Sequence, residues 1–82
     1  MVIIYSASWC GPCKFAKQLL DSKKIQYKEI DIEAENISRT DLTKITGGGT
    51  VPQIIINKKC IGGFDSLLNL EQSGELDKLL QK

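Results

Sequence analysis

Two cysteines three positions apart carry the clearest chemical signal in this sequence of 82 residues. Cys10 and Cys13 enclose Gly11 and Pro12, and Trp9 comes directly before them. Two thiols at this spacing can close into a disulfide and exchange it with another molecule. The spacing also occurs in zinc sites, but the sequence has no histidine and only three cysteines in all, so no metal site is expected.

The two thiols are expected to have different roles. An apolar strand precedes the pair and an amphipathic helix begins at it, so Cys10 would lie among free backbone N–H groups at the positive end of a helix dipole. Because this setting stabilises a thiolate, Cys10 is the predicted nucleophile, and Cys13, one turn further on, is the predicted resolving thiol. Pro12 suits a first helical turn, and Gly11 allows close approach of the backbone. Trp9 is either a core aromatic or a contact for a protein substrate.

The elements around this pair follow from the pattern of apolar residues. Short apolar and β-branched runs predict strands at residues 2–5, 25–32, 53–56 and 59–61. Three stretches of helical spacing lie after the first, second and fourth of these strands. The sequence therefore predicts a single α/β domain over residues 1–82, in the order β-α-β-α-β-β-α, with a four-stranded mixed sheet flanked by helices.

Particular residues are expected to begin and line the helices. The first helix would bury Phe15 with its other apolar residues, and the second would bury Ile45. Asn36 or Ser38 is expected to cap the second helix, and Asp65 or Ser66 the last one. Pro52 is predicted at the first position of the third strand, where its missing N–H is tolerated.

Composition limits the classes of partner. Eleven basic and ten acidic side chains give a net charge of +1, with no long run of either sign, so no nucleic-acid surface is expected. No apolar stretch approaches the roughly 20 residues of a membrane span, and the beginning of the chain does not resemble a secretory signal. We therefore expect a cytoplasmic monomer with no membrane partner.

Cys60 lies within a predicted strand and is expected to be a small buried apolar residue outside the active site.

Four segments together resemble the glutaredoxin family over nearly the whole chain. They are the strand ending at Ile4 and Tyr5 before the cysteines, residues 50–53, residues 61–65 and the tail at residues 73–80. The resemblance implies a thioredoxin fold and a thiol–disulfide oxidoreductase that reduces protein disulfides or glutathione mixed disulfides by dithiol exchange. It also implies glutathione as co-substrate and no tightly bound cofactor.

The resemblance implies a binding surface for glutathione beside the cysteines. In glutaredoxins the segment equivalent to Thr50, Val51 and Pro52 has a cis proline, and the residue before it pairs its backbone with the substrate, as an added strand would. The segment that includes Gly63, Phe64 and Asp65 holds the γ-glutamyl end of glutathione. A backbone N–H of Phe64 would meet the carboxylate there, and Asp65 the ammonium group. Trp9, Gly11 and Pro12 complete the predicted surface.

The chain departs from the family pattern at the cysteines. Gly11 and Pro12 form the pair typical of thioredoxin, where glutaredoxins usually have Pro-Tyr, and Ala7 stands where many have a lysine. Lys14 and Arg39 are the candidates to replace that cation, although basic side chains on helices are usually only solvated.

Two other interpretations are open at this point. One is a small redoxin that a thioredoxin-reductase-like flavoprotein reduces and that donates electrons to ribonucleotide reductase or a similar enzyme. Another is an iron–sulfur cluster-binding protein without turnover, to which a thiolate of each chain would contribute. The Gly-Pro pair also predicts a reduction potential closer to that of thioredoxin, about −270 mV, than to the roughly −200 to −230 mV of glutaredoxins.

Overall fold

The β-branched run near the start of the chain forms an inner strand of a mixed sheet. A computed structural model describes residues 2–80. Its helices and strands are β1 (Val2–Ser6), α1 (Gly11–Ser22), β2 (Lys28–Asp31), α2 (Arg39–Thr46), β3 (Gln53–Ile56), β4 (Lys59–Gly62), α3 (Phe64–Ser73) and α4 (Glu75–Leu80). The predicted order is confirmed, with the last helix divided in two.

The four strands lie side by side in the order β2-β1-β3-β4. Strand β1 runs parallel to β2, with Ile4 opposite Glu29, and antiparallel to β3, with Ile4 opposite Ile54. Strands β3 and β4 form a hairpin whose turn residues, Asn57 and Lys58, both have positive φ, as a tight two-residue turn requires. The predicted four-stranded mixed sheet is therefore confirmed.

The core lies between this sheet and the helices. Its members are completely or almost completely buried aliphatic residues: Val2, Ile4, Ala16, Leu20, Ile54, Ile56, Leu67 and Leu76. Because they come from β1, α1, β3, α3 and α4, the core fixes the helix that follows the cysteines against the centre of the sheet.

Several predicted boundaries are wrong for identifiable reasons. Strand β2 begins at Lys28 rather than residue 25, because the backbone N–H of Ile25 donates to Leu20 O at 2.9 Å and so still closes the end of α1. Gly74, with a φ of 82°, divides the last helix. Ser38 caps α2 through a reciprocal pair of hydrogen bonds with Asp41, so the alternative cap at Asn36 is wrong.

Some predicted buried positions are also wrong. Phe15 is 56% exposed and Ile45 is 49% exposed, so neither belongs to the core. Pro52 comes one residue before β3 rather than at its first position. Cys60 is half-buried, with its Sγ 3.7 Å from Gln53 Oε1, because it lies on β4 at the edge of the sheet. None of the helices within residues 2–80 is long and apolar enough to cross a lipid bilayer.

Candidate functional site

The turn after β1 and the first turn of α1 hold the two neighbouring thiols. The backbone of the turn after β1 closes through a hydrogen bond from the N–H of Cys10 to Ala7 O at 3.1 Å, and Pro12 follows in the first turn of the helix. Cys10 is the N-cap of α1, with extended backbone angles. We call residues 7–13 the cysteine turn.

The Cys10 thiol lies at the positive end of the helix dipole. Its Sγ accepts a hydrogen bond from the backbone N–H of Cys13 at 3.2 Å and lies 3.5 Å from Val51 O, to which the thiol can donate. Only 4% of the residue is exposed. The N–H of Cys13 can bond this sulfur whether or not it carries a proton, while donation to the Val51 carbonyl requires the thiol hydrogen. The expected placement of Cys10 at the helix start is confirmed.

Cys13 is the more deeply buried of the two thiols, with 1% exposed. The pKa of Cys13 is raised from 9.0 to about 12, chiefly by burial and next by the hydrogen bond to the Cys10 side chain, whereas a backbone contact with Ala7 and the charge of Lys17 lower it. Cys13 is therefore held as a neutral thiol when Cys10 lies beside it unreacted.

A polar network of Ser6, Lys17 and Glu29 joins α1 to β2, the strand at one edge of the sheet. Lys17 lies one helical turn after Cys13, on the same face, and its Nζ is 2.8 Å from Glu29 Oε2. The buried Ser6 hydroxyl donates to the same oxygen at 2.6 Å. Hydrogen bonds from Lys17 and Ser6 lower the pKa of Glu29, so this carboxylate stays charged. The spacing of Lys17 from Cys13 is visible in the sequence, but the partnership with Glu29 depends on strand pairing.

A cleft of about 370 Å³ lies beside the cysteine turn. Its walls come from the start of α1, the segment before β3 and the start of α3: Pro12, Thr50, Val51, Pro52, Gly63, Phe64, Asp65 and Ser66. The Val51–Pro52 peptide bond is cis, as the family resemblance implies. A Cβ on Gly63 would lie 3.3 Å from Pro52 O, so the two walls approach closely at this glycine.

Helix α3 presents its first turn to the cleft. Gly63 is the N-cap, no side chain caps the helix, and the N–H of Leu67 bonds to Gly63 O at 3.1 Å. The predicted caps at Asp65 or Ser66 are therefore wrong, because the helix begins before either residue. Asp65 is exposed in the first turn and lines the cleft. Ser66 also lines the cleft, and the sequence patterns did not identify it as a site residue.

The structure brings most of the predicted site residues together, but not all of them. Trp9 is 66% exposed and therefore not a core aromatic, and like Gly11 it does not line the cleft. Neither Lys14 nor Arg39 lines it, and no other lysine or arginine within residues 2–80 does. Cys60 also lies outside the cleft lining.

Known proteins match this chain along most of its length. The glutaredoxin family model matches residues 2–61. A glutaredoxin of Pseudomonas aeruginosa is 43% identical over 79 residues, which cover 96% of this chain and 94% of the relative. Glutaredoxin 3 of Escherichia coli is 41% identical over 80 residues, covering 98% and 96% respectively.

Solved structures agree with these relatives. A buckwheat glutaredoxin, crystallised as a complex with glutathione, superimposes with a TM-score of 0.87 at 31% identity, over 96% of this chain and 74% of that one. A solution structure of the glutaredoxin from Brucella melitensis gives a TM-score of 0.82 at 42% identity, over 96% and 86%. With two thiols at a helix start beside a peptide-sized cleft, this chain belongs to the glutaredoxin family of thiol–disulfide oxidoreductases, with the thioredoxin fold.

Proposed function

We propose that this chain reduces protein disulfides and glutathione mixed disulfides by a dithiol cycle, with Cys10 as nucleophile, Cys13 as resolving thiol and glutathione as co-substrate. The observation that carries the proposal is the position of Cys10. Its Sγ is bonded to the first turn of α1 on one side and lies 3.5 Å from the carbonyl of Val51, a cleft residue, on the other. A sulfur bound next to Val51 would therefore be within reach of the nucleophile.

The first half of the cycle transfers the substrate sulfur to Cys10. The Cys10 thiolate attacks one sulfur of the substrate disulfide, a bond between the two sulfurs forms, and the other substrate sulfur leaves as a thiolate that takes up a proton. Cys13 then loses its proton and attacks Cys10 Sγ. The substrate leaves as a second thiol. The substrate disulfide has then been reduced by two electrons, and Cys10 and Cys13 have been oxidised to a disulfide.

Glutathione would return the enzyme to its dithiol form. One glutathione thiolate attacks Cys10 Sγ and releases Cys13, and a second attacks the mixed disulfide to give glutathione disulfide. The cleft suits this tripeptide, because Val51 offers backbone groups to an extended chain and the uncapped start of α3 offers N–H groups to a carboxylate. Phe64 N–H would bind the γ-glutamyl carboxylate and Asp65 its ammonium group.

The remaining predicted residues would shape the same surface. Thr50, Pro52 and Gly63 would form the wall opposite the cysteines, and Pro12 the wall beside them. Trp9 and Gly11 would contact larger protein substrates from outside the cleft. The buckwheat relative crystallised with glutathione supports this assignment.

A second candidate reductant is a thioredoxin-reductase-like flavoprotein, in which case the chain would donate electrons to ribonucleotide reductase or a similar enzyme. Two observations favour it: the Gly-Pro pair between the cysteines and a cleft lining that, within residues 2–80, includes no lysine or arginine to bind the glycyl carboxylate. We further propose that the chain acts as a single-domain monomer in the cytoplasm and holds no tightly bound cofactor.

A comparison of the two reductants tests the proposal. The oxidised protein is supplied with glutathione and glutathione reductase, or with a thioredoxin reductase, and reduction of a protein disulfide is followed through NADPH consumption. We expect faster turnover with the glutathione system. Turnover with the thioredoxin reductase but not with the glutathione system would show that a flavoprotein, and not glutathione, is the reductant. Turnover with neither system, in a protein that retains its thiols, would contradict the proposed activity.

A further inference from the structure

Phe15 is an aromatic side chain that the exchange chemistry does not use and the core does not bury. It lies on α1 and is 56% exposed. Its ring centroid is 6.0 Å from that of Phe64, with the rings tilted by 39°. Phe64 lines the cleft, so the two rings extend the α3 wall of the cleft towards α1. We call Phe15 and Phe64 the aromatic ridge.

The surface between the nucleophile and the ridge is open at Gly11. A Cβ at this position would have no atom within 4 Å, so there is free space above the backbone. Gly11 and Phe15 are four positions apart in α1 and therefore lie on the same face of the helix. A chain that brings a sulfur to Cys10 has room to continue across Gly11 and reach the ring of Phe15.

The chemistry of the ridge favours an apolar side chain. The free energy falls when an apolar group covers an exposed aromatic ring, because apolar surface is removed from water. An aromatic side chain makes this contact at little cost in side-chain entropy. Lys14, the basic residue next to Phe15, is exposed and does not line the cleft. Glutathione itself is polar at both ends, so the ridge provides a contact that a polypeptide with apolar side chains can use and the tripeptide cannot.

We infer that Phe15 determines substrate specificity, by binding with Phe64 an apolar side chain that flanks the reactive cysteine of a disulfide-containing polypeptide. This inference rests on the proposed function, because the polypeptide must present its disulfide to Cys10. The ridge continues directly from the cleft in which that exchange is proposed. The aromatic ridge would therefore discriminate between polypeptides that undergo the same thiol–disulfide exchange.

The test compares two disulfide-linked peptides that differ only in the residues beside the cysteine, leucine in one and serine in the other. For the unaltered protein we expect kcat/KM to be about three- to tenfold higher for the leucine peptide, the range given by one aromatic contact. In Phe15→Ala the ratio should fall to near one. Phe15→Trp should keep the preference, because it retains an aromatic surface.

Ile45→Ala is the matched control, since Ile45 is an apolar side chain of similar exposure, 49%, on a different helix and outside the cleft lining. It should keep the preference of the unaltered protein. A preference that survives in Phe15→Ala, or that is lost equally in Ile45→Ala, would overturn the inference, as would an unaltered protein that reduces both peptides equally. If the unaltered protein reduces neither peptide nor a glutathione mixed disulfide, the proposed function itself fails.

Discussion

Both thiols of the cysteine turn are almost completely buried, whereas in the neighbouring cleft Thr50 and Asp65 are exposed and α3 begins without a side-chain cap. Two hydrogen bonds close the cysteine turn on itself, from the Cys13 N–H to Cys10 Sγ and from the Cys10 N–H to Ala7 O. In the proposed function, the uncapped start of α3 is available to a ligand. Under that proposal, the turn determines which bond is exchanged, and the cleft and its surroundings determine which molecule is bound.

The largest expected effect separates the two thiols of the cysteine turn. Cys10→Ser should reduce turnover of every disulfide substrate to the background rate, because it removes the attacking sulfur. Cys13→Ser should retain reduction of glutathione mixed disulfides, which needs only Cys10, and lose reduction of protein disulfides. Steady-state assays with both substrates check this, and Cys60→Ser serves as the control for thiol loss. Equal losses in Cys10→Ser and Cys60→Ser would remove the distinction between the turn and the rest of the chain.

A change in the cleft should act on binding rather than on chemistry. Asp65→Asn removes the carboxylate proposed to bind the glutathione ammonium group, and we expect KM for a glutathione mixed disulfide to rise roughly tenfold with little change in kcat. Glu75→Gln is the matched control, because Glu75 is an exposed acid in the first turn of α4 that does not line the cleft. An unchanged KM in Asp65→Asn would show that the cleft does not hold glutathione in this way.

The high pKa of Cys13 predicts a pH dependence for the resolving step. Burial, the largest cause of the raised pKa, persists in the mixed disulfide, where the effects of the free Cys10 thiol are absent, so the fraction of Cys13 thiolate should grow about tenfold per pH unit below its pKa. The reaction of the reduced protein with an aromatic disulfide that releases a coloured thiol should then have two phases. The slower one, attack of Cys13 on Cys10, should accelerate steeply between about pH 8 and pH 10. A flat second phase would contradict burial as the control on Cys13.

The smallest effect concerns Lys17, whose charge favours the Cys13 thiolate. Lys17→Met should slow the second phase about two- to threefold, because Glu29 offsets much of the charge and both side chains are partly exposed. Lys14→Met, on the same helix but exposed and not among the groups that affect the Cys13 pKa, should leave it unchanged. Equal rates in the two variants would exclude a contribution of the network to the cysteine turn.

The same contrast explains what the sequence could predict. The order of elements, the Cys10 helix start and the cis bond before Pro52 follow from local patterns and the family resemblance. Helical periodicity predicted that Phe15 is buried, but it is exposed. Periodicity shows on which face of a helix an apolar residue lies, but not whether another element covers that face.

The prediction of the start of α3 from the capping preferences of side chains was also wrong. Asp65 and Ser66 are good capping residues, but the helix begins at Gly63, where the chain leaves β4. The ion pair of Lys17 with Glu29 depends on the parallel register of β1 and β2, which no local pattern contains. The cysteine turn was therefore predictable from local sequence, and the contacts between distant segments were not.

The most direct test of the account is to locate the sulfur that accepts glutathione. Cys13→Ser protein is incubated with glutathione disulfide, and the modified residue is identified by mass spectrometry of peptides. We expect glutathione on Cys10 alone, and no adduct at that position in a variant with both Cys10→Ser and Cys13→Ser. Glutathione found mainly on the half-buried Cys60, or on no cysteine at all, would contradict the assignment of Cys10 as the nucleophile beside a glutathione-binding cleft.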